Sequence, residues 1–420
     1  DLDRSPAAER RALLDALDGR FVPPGPAGAP SRGRADVLPT GRNLYSVDPR
    51  AVPTRSALVL ARRAAEELLR RHVQEHGSWP ESVVIDLWGS TAMRTGGEDL
   101  ALALVLLGVA PVWDTGSNRV TGVEAVPAVE LGRPRVDVTL RISGLFRDAF
   151  PQLIALFDQA VRMVARLPEA VESNPLAAAG QLEGEAFRQA TTRIYGAPAG
   201  TYGSPITALI DRGAWQERDE LGLAHLQASS GAFGLGLEGT PDAVGLSARL
   251  AGADMMVSMQ DHAEIDLLEG TEAAAHRGGL AAAAEGLGAN PALYHLDTSM
   301  PDAPRARTVA EEVARVVRGR IANPAWLAGM MRHGYRGGAE IARAVDGLFA
   351  CAATLPVRFD RQFDLVYEAT LADPAVDAFL RASNPDARTG MQRRFAEALH
   401  RGLWRPRRNA VAAELPTWAA

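Results

Sequence analysis

Several short stretches of this 420-residue chain crowd together side chains that can move protons or hold ions and acids. The first is "MRTGGEDLA", residues 93–101, where two glycines lead into an apolar helix that opens on Glu98 and Asp99. A helix N-terminus suits an anion, yet carboxylates on the chain itself are favoured in that first turn. Glu98 is therefore either a plain helix-start carboxylate or a group aimed into a cleft at the C-terminal edge of a sheet, where α/β folds place ligands. The second stretch, "RISGLFRDAFP", residues 141–151, leaves a strand at Ser143 and presents Arg147 and Asp148 at the same edge as Arg94 and Glu98. A simple Arg147–Asp148 surface pair is the competing account.

The third stretch, "SMQDHAEIDLLEGTEAAAHRGGL", residues 258–280, gathers Gln260, Asp261, His262, Glu264 and Asp266, with His276 following. Such residues accept protons and suit divalent transition ions. Their spacing matches no tight metal motif, so by spacing alone they read as a polar helix entry, with a metal or base role as the alternative. The fourth, "ANPAWLAGMMRHGYRGGAEIA", residues 322–342, packs Arg332, His333, Tyr335 and Arg336 into five positions after a short helix capped by Asn323. His333 there is either a cap on the helix's last turn, where a cation is favoured, or a binding group. A fifth, "LPTGRNLYSVDPR", residues 38–50, has Arg42, Asn43 and Tyr45 but no hydrophobic period. It reads as a substrate-side loop or as a rigid connector.

The elements that must hold these stretches are legible in part. A Pro- and Gly-rich segment at 22–41 predicts irregular backbone. A helix is expected from about Arg55 to His76. "SVVIDLWG" reads as a buried strand, residues 98–107 as an apolar helix with Gly108 at its C′ position, "APVWD" as a strand and 136–142 as another, followed by one long amphipathic helix. This alternation indicates an α/β unit with a mostly parallel sheet and flanking helices. From about residue 174 helical periodicity takes over, including 205–229, 240–257 and 275–287, with one short strand at "ALYHLD". The expected organisation is an irregular segment at 1–54, an α/β domain at 55–173 and an α-rich domain at 174–420.

Composition narrows the chemistry. Every one of the 45 basic residues is Arg, since the sequence contains no Lys. A P-loop needs a Lys at the nucleotide phosphates, and Schiff-base chemistry needs a Lys amine, so neither can reside here. If its work consumes ATP, another chain is expected to bind it. The net charge of −6 gives no sign of a nucleic-acid binder. A single cysteine, Cys351, excludes a disulfide framework and a thiolate-rich metal site, and its apolar surroundings predict a small buried hydrophobe. The longest apolar run, "ALALVLLGVAPVW", is broken by Gly and Pro and too short to span a bilayer. No membrane association and a cytoplasmic location are expected. The chain opens without Met on "DLDRSPAAERRALLDALDGRF", which reads as a helix in progress and predicts a C-terminal piece of a longer polypeptide.

Taken together, "LPTGRNLYSVDPRAVPT", "DLWGSTAMRTGGEDLALALVLLGVAPVWD", "ELGRPRVDVTLRISGLFRDAFP", "QDHAEIDLLE", the run from "ALYHLDTSMPDAPRARTV" to "MMRHGYRGGAEIA", "FDLVYEATLAD" and "GLWRPRRN" resemble, in order, the large subunits of aerobic cobaltochelatases, with a more distant likeness to the porphyrin-binding H subunits of magnesium chelatases. The resemblance covers nearly the whole chain and corresponds to the C-terminal part of those subunits. It implies ATP-driven insertion of Co²⁺, the substrate metal, into hydrogenobyrinic acid a,c-diamide during cobalamin synthesis. It also implies two smaller AAA+ partner subunits that bind and hydrolyse ATP with Mg²⁺, in agreement with the absence of Lys. One departure stands out. Where many members carry Asn-Arg-Glu-His-Asp, this chain reads His262-Ala263-Glu264-Ile265-Asp266, so position 265 cannot bind metal and the weight shifts to His276 and His333.

Insertion of an ion into such a ring requires a base for the inner N–H protons, ligands that release the ion, and a grip on peripheral carboxylates, for which Arg is suited. On this reading His333, Glu264, Glu98 and Asp261 carry the chemistry. Metal contact falls to His333, Glu264 and His276, and substrate contact to Arg42, Asn43, Tyr45, Arg94, Arg147, Arg332 and Tyr335. The alternatives are a magnesium-chelatase H-type subunit and a tetrapyrrole-binding scaffold without chemistry of its own.

Overall fold

The computed structural model describes residues 1–418 except 27, 29, 31–34, 46 and 270. Twelve strands are defined among them: β1 (Pro24–Pro26), β2 (Asn43–Tyr45), β3 (Ser82–Leu87), β4 (Val109–Trp113), β5 (Val120–Ala125), β6 (Asp137–Ile142), β7 (Ile194–Gly196), β8 (Gly231–Gly234), β9 (Leu237–Pro241), β10 (Met255–Gln260), β11 (Ala292–Asp297) and β12 (Arg305–Thr308). Eight of them form one sheet in the order β12-β11-β10-β3-β6-β7-β8-β9. The five central strands, β11 to β7, run parallel. The flanks, β12 on one side and β8-β9 on the other, are antiparallel. The α/β reading therefore holds, with helices on both faces and a helical C-terminal region.

Both faces of the sheet are apolar, but differently. Val83, Ile85, Leu87, Val138, Leu140 and Ile142 pack with the helices Glu98–Leu107 and Pro151–Ala165 in one core. On the opposite face Val84, Met256 and Tyr195 meet Leu226, Leu246, Leu250 and Leu280 from three other helices. A third core joins the C-terminal helices through Leu348, Phe349, Phe363, Phe395 and Trp404. Cys351 lies inside it, 1% exposed, and burial pushes its thiol up to about 12, as expected of an inert hydrophobe.

Local signals are realised at the first helix after the loops. Thr54 accepts from the Ala57 N–H to cap Arg55–His76, and Gly77 ends that helix in the left-handed region. The long amphipathic helix expected after β6 is in fact two, Gly144–Ala149 and Pro151–Ala165, because Pro151 starts a new helix better than it continues an old one.

The larger correction concerns residues beyond 174. One strand was expected there, at "ALYHLD", and it exists as β11. Five more, β7, β8, β9, β10 and β12, join it in the sheet begun by β3 and β6. The sheet thus crosses the division drawn at 173/174. β10, "MMVSMQ", was absorbed into a helical pattern because it is buried on both faces and does not alternate. β7 and β8 are only three and four residues long. "APVWD" forms a strand outside the sheet, in a separate hairpin with β5.

The Ala- and Gly-rich helix Thr271–Gly286 runs between the sheet and the C-terminal helices. A Cβ on Gly278 would come within 1.9 Å of the Thr354 hydroxyl, so only glycine permits this approach to Gly334–Thr354. No helix among the described residues is long and apolar enough to cross a membrane.

Candidate functional site

The parallel strands end together, and the residues that follow them form a polar edge. β3 leads through Trp88 into the helix Gly89–Thr95, β6 into Ser143, and β10 into Asp261. Chain order reverses between β3 and β10, since β3 continues towards β6 on one side while β10 enters on the other. Such a switch point is where open α/β sheets bind ligands.

Arg94 and Asp261 meet across this reversal in a two-pronged ion pair, Nε to Oδ2 at 2.5 Å and Nη2 to Oδ1 at 2.7 Å. Asp261 is buried and Arg94 half-buried. Asp261 holds the Arg94 cation above its ordinary value against the effect of burial, and Glu264 and Asp99 add to the same field. Glu98 and Asp99 are both 2% exposed at the start of their helix. Burial pushes Asp99 up to about 7, and Asp261 and Glu98 push in the same direction, although the Leu100 N–H donates to it. The sequence pattern pointed to Glu98, whereas Asp99 is the carboxyl poised to exchange a proton near neutrality.

The Gly96-Gly97 turn has a structural reason. The Thr54 N–H donates to the Gly96 carbonyl at 3.0 Å. Gly97 has φ +88°, and a Cβ there would lie 2.4 Å from a Val52 methyl. The turn is the junction at which the segment after residue 50 is fastened to the edge, and Trp113 Nε1 donates to the Pro53 carbonyl beside it.

A second polar group lies inside the strands themselves. Asp86 of β3 and Arg141 of β6 are register partners and form a fully buried ion pair at 2.8 Å. The indole N–H of Trp88 donates to the other Asp86 oxygen. Burial would raise the Asp86 carboxyl, but Arg141 and His276 outweigh burial and hold it below the usual carboxylate range. Arg141 Nη2 is also in close contact with the His276 ring at Nδ1. The His276 ring lies edge-on to Trp88 at 4.9 Å. The same row continues across the sheet, through Ser258 and His295, to Arg307. The signal that could have found it is a charge placed in each of two otherwise apolar strands, "VVIDLW" and "VTLRIS".

The remaining expected residues are placed as follows. Arg147 is buried. Its Nε and Nη2 donate to Asp148, and its Nη1 donates to the carbonyls of Ala197 and Pro198. It lies over the Tyr202 ring and staples the 197–202 loop, leaving it little to offer a substrate. Arg42 packs across β1 beside Gly25 and donates to the Asp36 carbonyl, and Asn43 is exposed on β2. The Tyr45 side chain lies outside the described residues. Glu264 is exposed on the loop after β10. Arg332, His333 and Tyr335 form an exposed junction between the helices Pro324–Met331 and Gly334–Thr354, where Gly334 begins the second helix rather than ending the first.

Among the described residues no three His, Cys, Asp or Glu side chains gather as a metal site. The trio His333, Glu264 and His276 is therefore not preassembled. His276 is buried with Nδ1 committed to Arg141, whereas the other two are exposed on different segments. Two larger grooves, of about 750 and 760 Å³, lie away from the strand ends. One is between the Arg55–His76 helix and residues 126–133, the other along residues 389–397.

Comparison with known proteins supplies the relationship. Residues 1–411 match the CobN/Magnesium Chelatase family. The chain is 48% identical to the aerobic cobaltochelatase subunit CobN of Sinorhizobium sp over 99% of its own length and 33% of that protein. It is also 48% identical to CobN of Pseudomonas aeruginosa over 96% of its length and 33% of that relative. Magnesium-chelatase subunit ChlH of rice is 35% identical over 94% of this chain and 29% of that protein. The solved catalytic subunit of cobaltochelatase from Mycobacterium tuberculosis superposes with a TM-score of 0.91 at 43% identity, covering 97% of this chain and 35% of that one. The chain spans about a third of the length of the curated relatives it matches. A fold shared at that level, and a match that runs through every strand-end segment described above, place this chain in the CobN/magnesium chelatase family.

Proposed function

We propose that this chain forms the part of an ATP-driven cobaltochelatase that holds the macrocycle and takes up its protons, acting in the insertion of Co²⁺ into hydrogenobyrinic acid a,c-diamide. The observation that carries the reading is the strand-end cluster: the Arg94–Asp261 pair beside two buried carboxyls, one of them pushed up to about 7. A ring that gives up inner protons as the ion enters needs acceptors of that kind. The higher identity to cobaltochelatase subunits than to magnesium-chelatase ones, 48% against 35%, supports cobalt as the ion. Two smaller AAA+ subunits would supply ATP hydrolysis with Mg²⁺, because a chain without Lys has no P-loop of its own. An ATP-driven reaction of this type belongs in the cytoplasm.

Within this reading Asp99, Glu98 and Asp261 handle protons, and Glu264 and His333 meet the arriving ion from the exposed side. Arg94 sets the orientation of Asp261. Asn43, Arg42, Tyr45, Arg332 and Tyr335 are contacts for the ring's periphery. The test is an absorbance titration of the chain with hydrogenobyrinic acid a,c-diamide and, separately, with protoporphyrin. Tighter binding of the corrin precursor supports the cobalt branch, and preference for protoporphyrin transfers the chain to the magnesium branch. Tight binding with no dependence of the assembled enzyme's rate on Asp99 or Glu264 leaves a scaffold.

A further inference from the structure

Residues 313–345 carry six Arg and a single carboxylate, Glu340, a local excess of five positive charges in a chain whose net charge is −6. They run from the helix Val309–Val316 through a π turn at Val317–Ile321 and the helix Pro324–Met331 into the helix Gly334–Thr354. In the π turn the Ala322 N–H donates to the Val317 carbonyl, five residues back, at 2.8 Å. Such turns are rare and concentrate at functional sites. Arg315 pairs with Glu312 and Arg320 with Asp266, while Arg336 and Arg343 share Glu340. Arg318 and Arg332 are exposed and form no ion pair among the described residues. Among these cations Trp326, Met330 and Met331 are half-buried and Tyr335 is exposed. Arg, Tyr, Trp and Met are the residues enriched where proteins meet.

The same segment reaches the polar edge of the sheet. Arg320 lies over the Trp326 ring, and its Nη2 donates to Asp266 Oδ1 at 2.7 Å. Asp266 closes the loop that leaves β10 at Asp261 and carries Glu264. At the other end of that loop Gln260 Nε2 donates to the carbonyls of His262 at 2.9 Å and Ile265 at 2.8 Å. One short loop thus joins the cationic segment to the strand ends.

We propose that this segment is the docking face for an acidic surface of a separate protein chain. The inference rests on the chelatase reading for the partner's identity, which is then one of the ATP-hydrolysing subunits. Carboxylates opposite Arg318, Arg336 and Arg343 supply the negative charge that Glu340 alone does not, and such complementarity steers and registers a partner. Trp326, Met330 and Met331 offer its apolar side chains a place to bury. A nucleic acid fits less well, because the chain as a whole repels polyanions and this mix of side chains is that of a protein interface. The Arg320–Asp266 pair gives a docked subunit a contiguous physical path to the loop that bears Glu264. A partner that hydrolyses ATP has a use for such a path.

The experiment reverses charges on and off the face. Arg318→Glu with Arg336→Glu changes two exposed positions on it. Arg10→Glu with Arg212→Glu, exposed on the helices Ser5–Leu17 and Pro205–Arg212, is the control pair. Arg318→Glu alone breaks no ion pair, and it carries the test if the double variant loses stability. Binding to the two smaller ATPase subunits is followed by biolayer interferometry at low and high salt. Affinity for hydrogenobyrinic acid a,c-diamide is followed by absorbance, and stability by urea unfolding. The expected result is that salt weakens subunit binding and that the face variant loses at least about tenfold in subunit affinity. Macrocycle affinity is expected to stay at the wild-type value, and so is subunit binding by the control pair. An equal loss in the control pair overturns the docking face. So does a loss of stability in Arg318→Glu with subunit affinity unchanged, because the face is then packed within its own subunit. Binding of poly(dT) in preference to the subunits overturns it in favour of a nucleic acid. If the subunits bind and no face variant matters, the docking face fails and the chelatase reading survives. If the macrocycle binds but the subunits do not, the docking face fails and the ring-binding part of that reading stands. If wild type binds neither, both fail.

Discussion

The strand-end cluster and the Arg332–His333–Tyr335 junction carry similar residue types in opposite physical settings. At the strand ends, charges are buried and bonded: Arg94 to Asp261, Arg141 to Asp86 and His276. At the junction the side chains are exposed, with Tyr335 67% accessible. Buried ionisable groups have perturbed proton affinities and fixed positions, which suits gripping and proton transfer. Exposed groups keep their mobility, which suits meeting an ion or a partner protein. The difference teaches that clustering in sequence is not by itself a measure of chemical strain, and burial decides it.

Four measurements would break or sharpen this contrast. The largest effect is expected from Arg94→Met, which removes the two-pronged Arg94 contact from the buried Asp261 carboxylate. Unfolding in urea at pH 7 should show a loss of about 3–5 kcal/mol, and a loss under about 1 kcal/mol would show that the edge is less sealed than described. Next, His333→Ala should lower the steady-state insertion rate of the assembled enzyme about 10²-fold and leave macrocycle affinity within about twofold. An unchanged kcat and metal KM would remove His333 from metal handling.

Third comes Asp99→Asn, read against pH. The Asp99 carboxyl is raised from the ordinary 3.8 to about 7, so the folded state holds a proton that the unfolded chain has already released between those values. Stability from this group is present below pH 3.8 and drains away as pH rises towards 7. Wild type should therefore lose on the order of 2 kcal/mol relative to the Asn variant between pH 5 and pH 8. Parallel curves would refute the raised value. The smallest effect is expected for Arg332→Ala, whose stability change should stay within about 0.5 kcal/mol. A larger loss would mean that the junction is packed against something at rest.

What could be read from sequence divides along the same line. Arg94 and Glu98 were legible because they follow β3, a strand read from the sequence, whereas Asp261 stood out only for its polar neighbours, since the strand before it went unread. The Arg55–His76 helix was legible through its period and its caps. β10 was missed because a strand covered on both faces loses the alternation that marks it, and methionines carry good helix propensity. Asp86 and Arg141 went unnoticed because each is a single charge within an apolar strand, and their pairing is a matter of register between strands far apart in the chain. Arg147 looked available because its acceptors, the Ala197 and Pro198 carbonyls, belong to a loop that no local pattern connects to it.

The position of β10 has a consequence for the order in which the molecule is made. Arg94 and Asp261 are separated by 167 residues, and β3 has no neighbour on its β10 side until residues 255–260 arrive. A chain emerging from the ribosome thus carries an open, apolar strand edge through much of its synthesis, a feature that invites wrong pairing and slows folding. The strand that brings Asp261 to Arg94 is also the one that closes this edge, so a formed Arg94–Asp261 pair is evidence that the central sheet has been correctly finished.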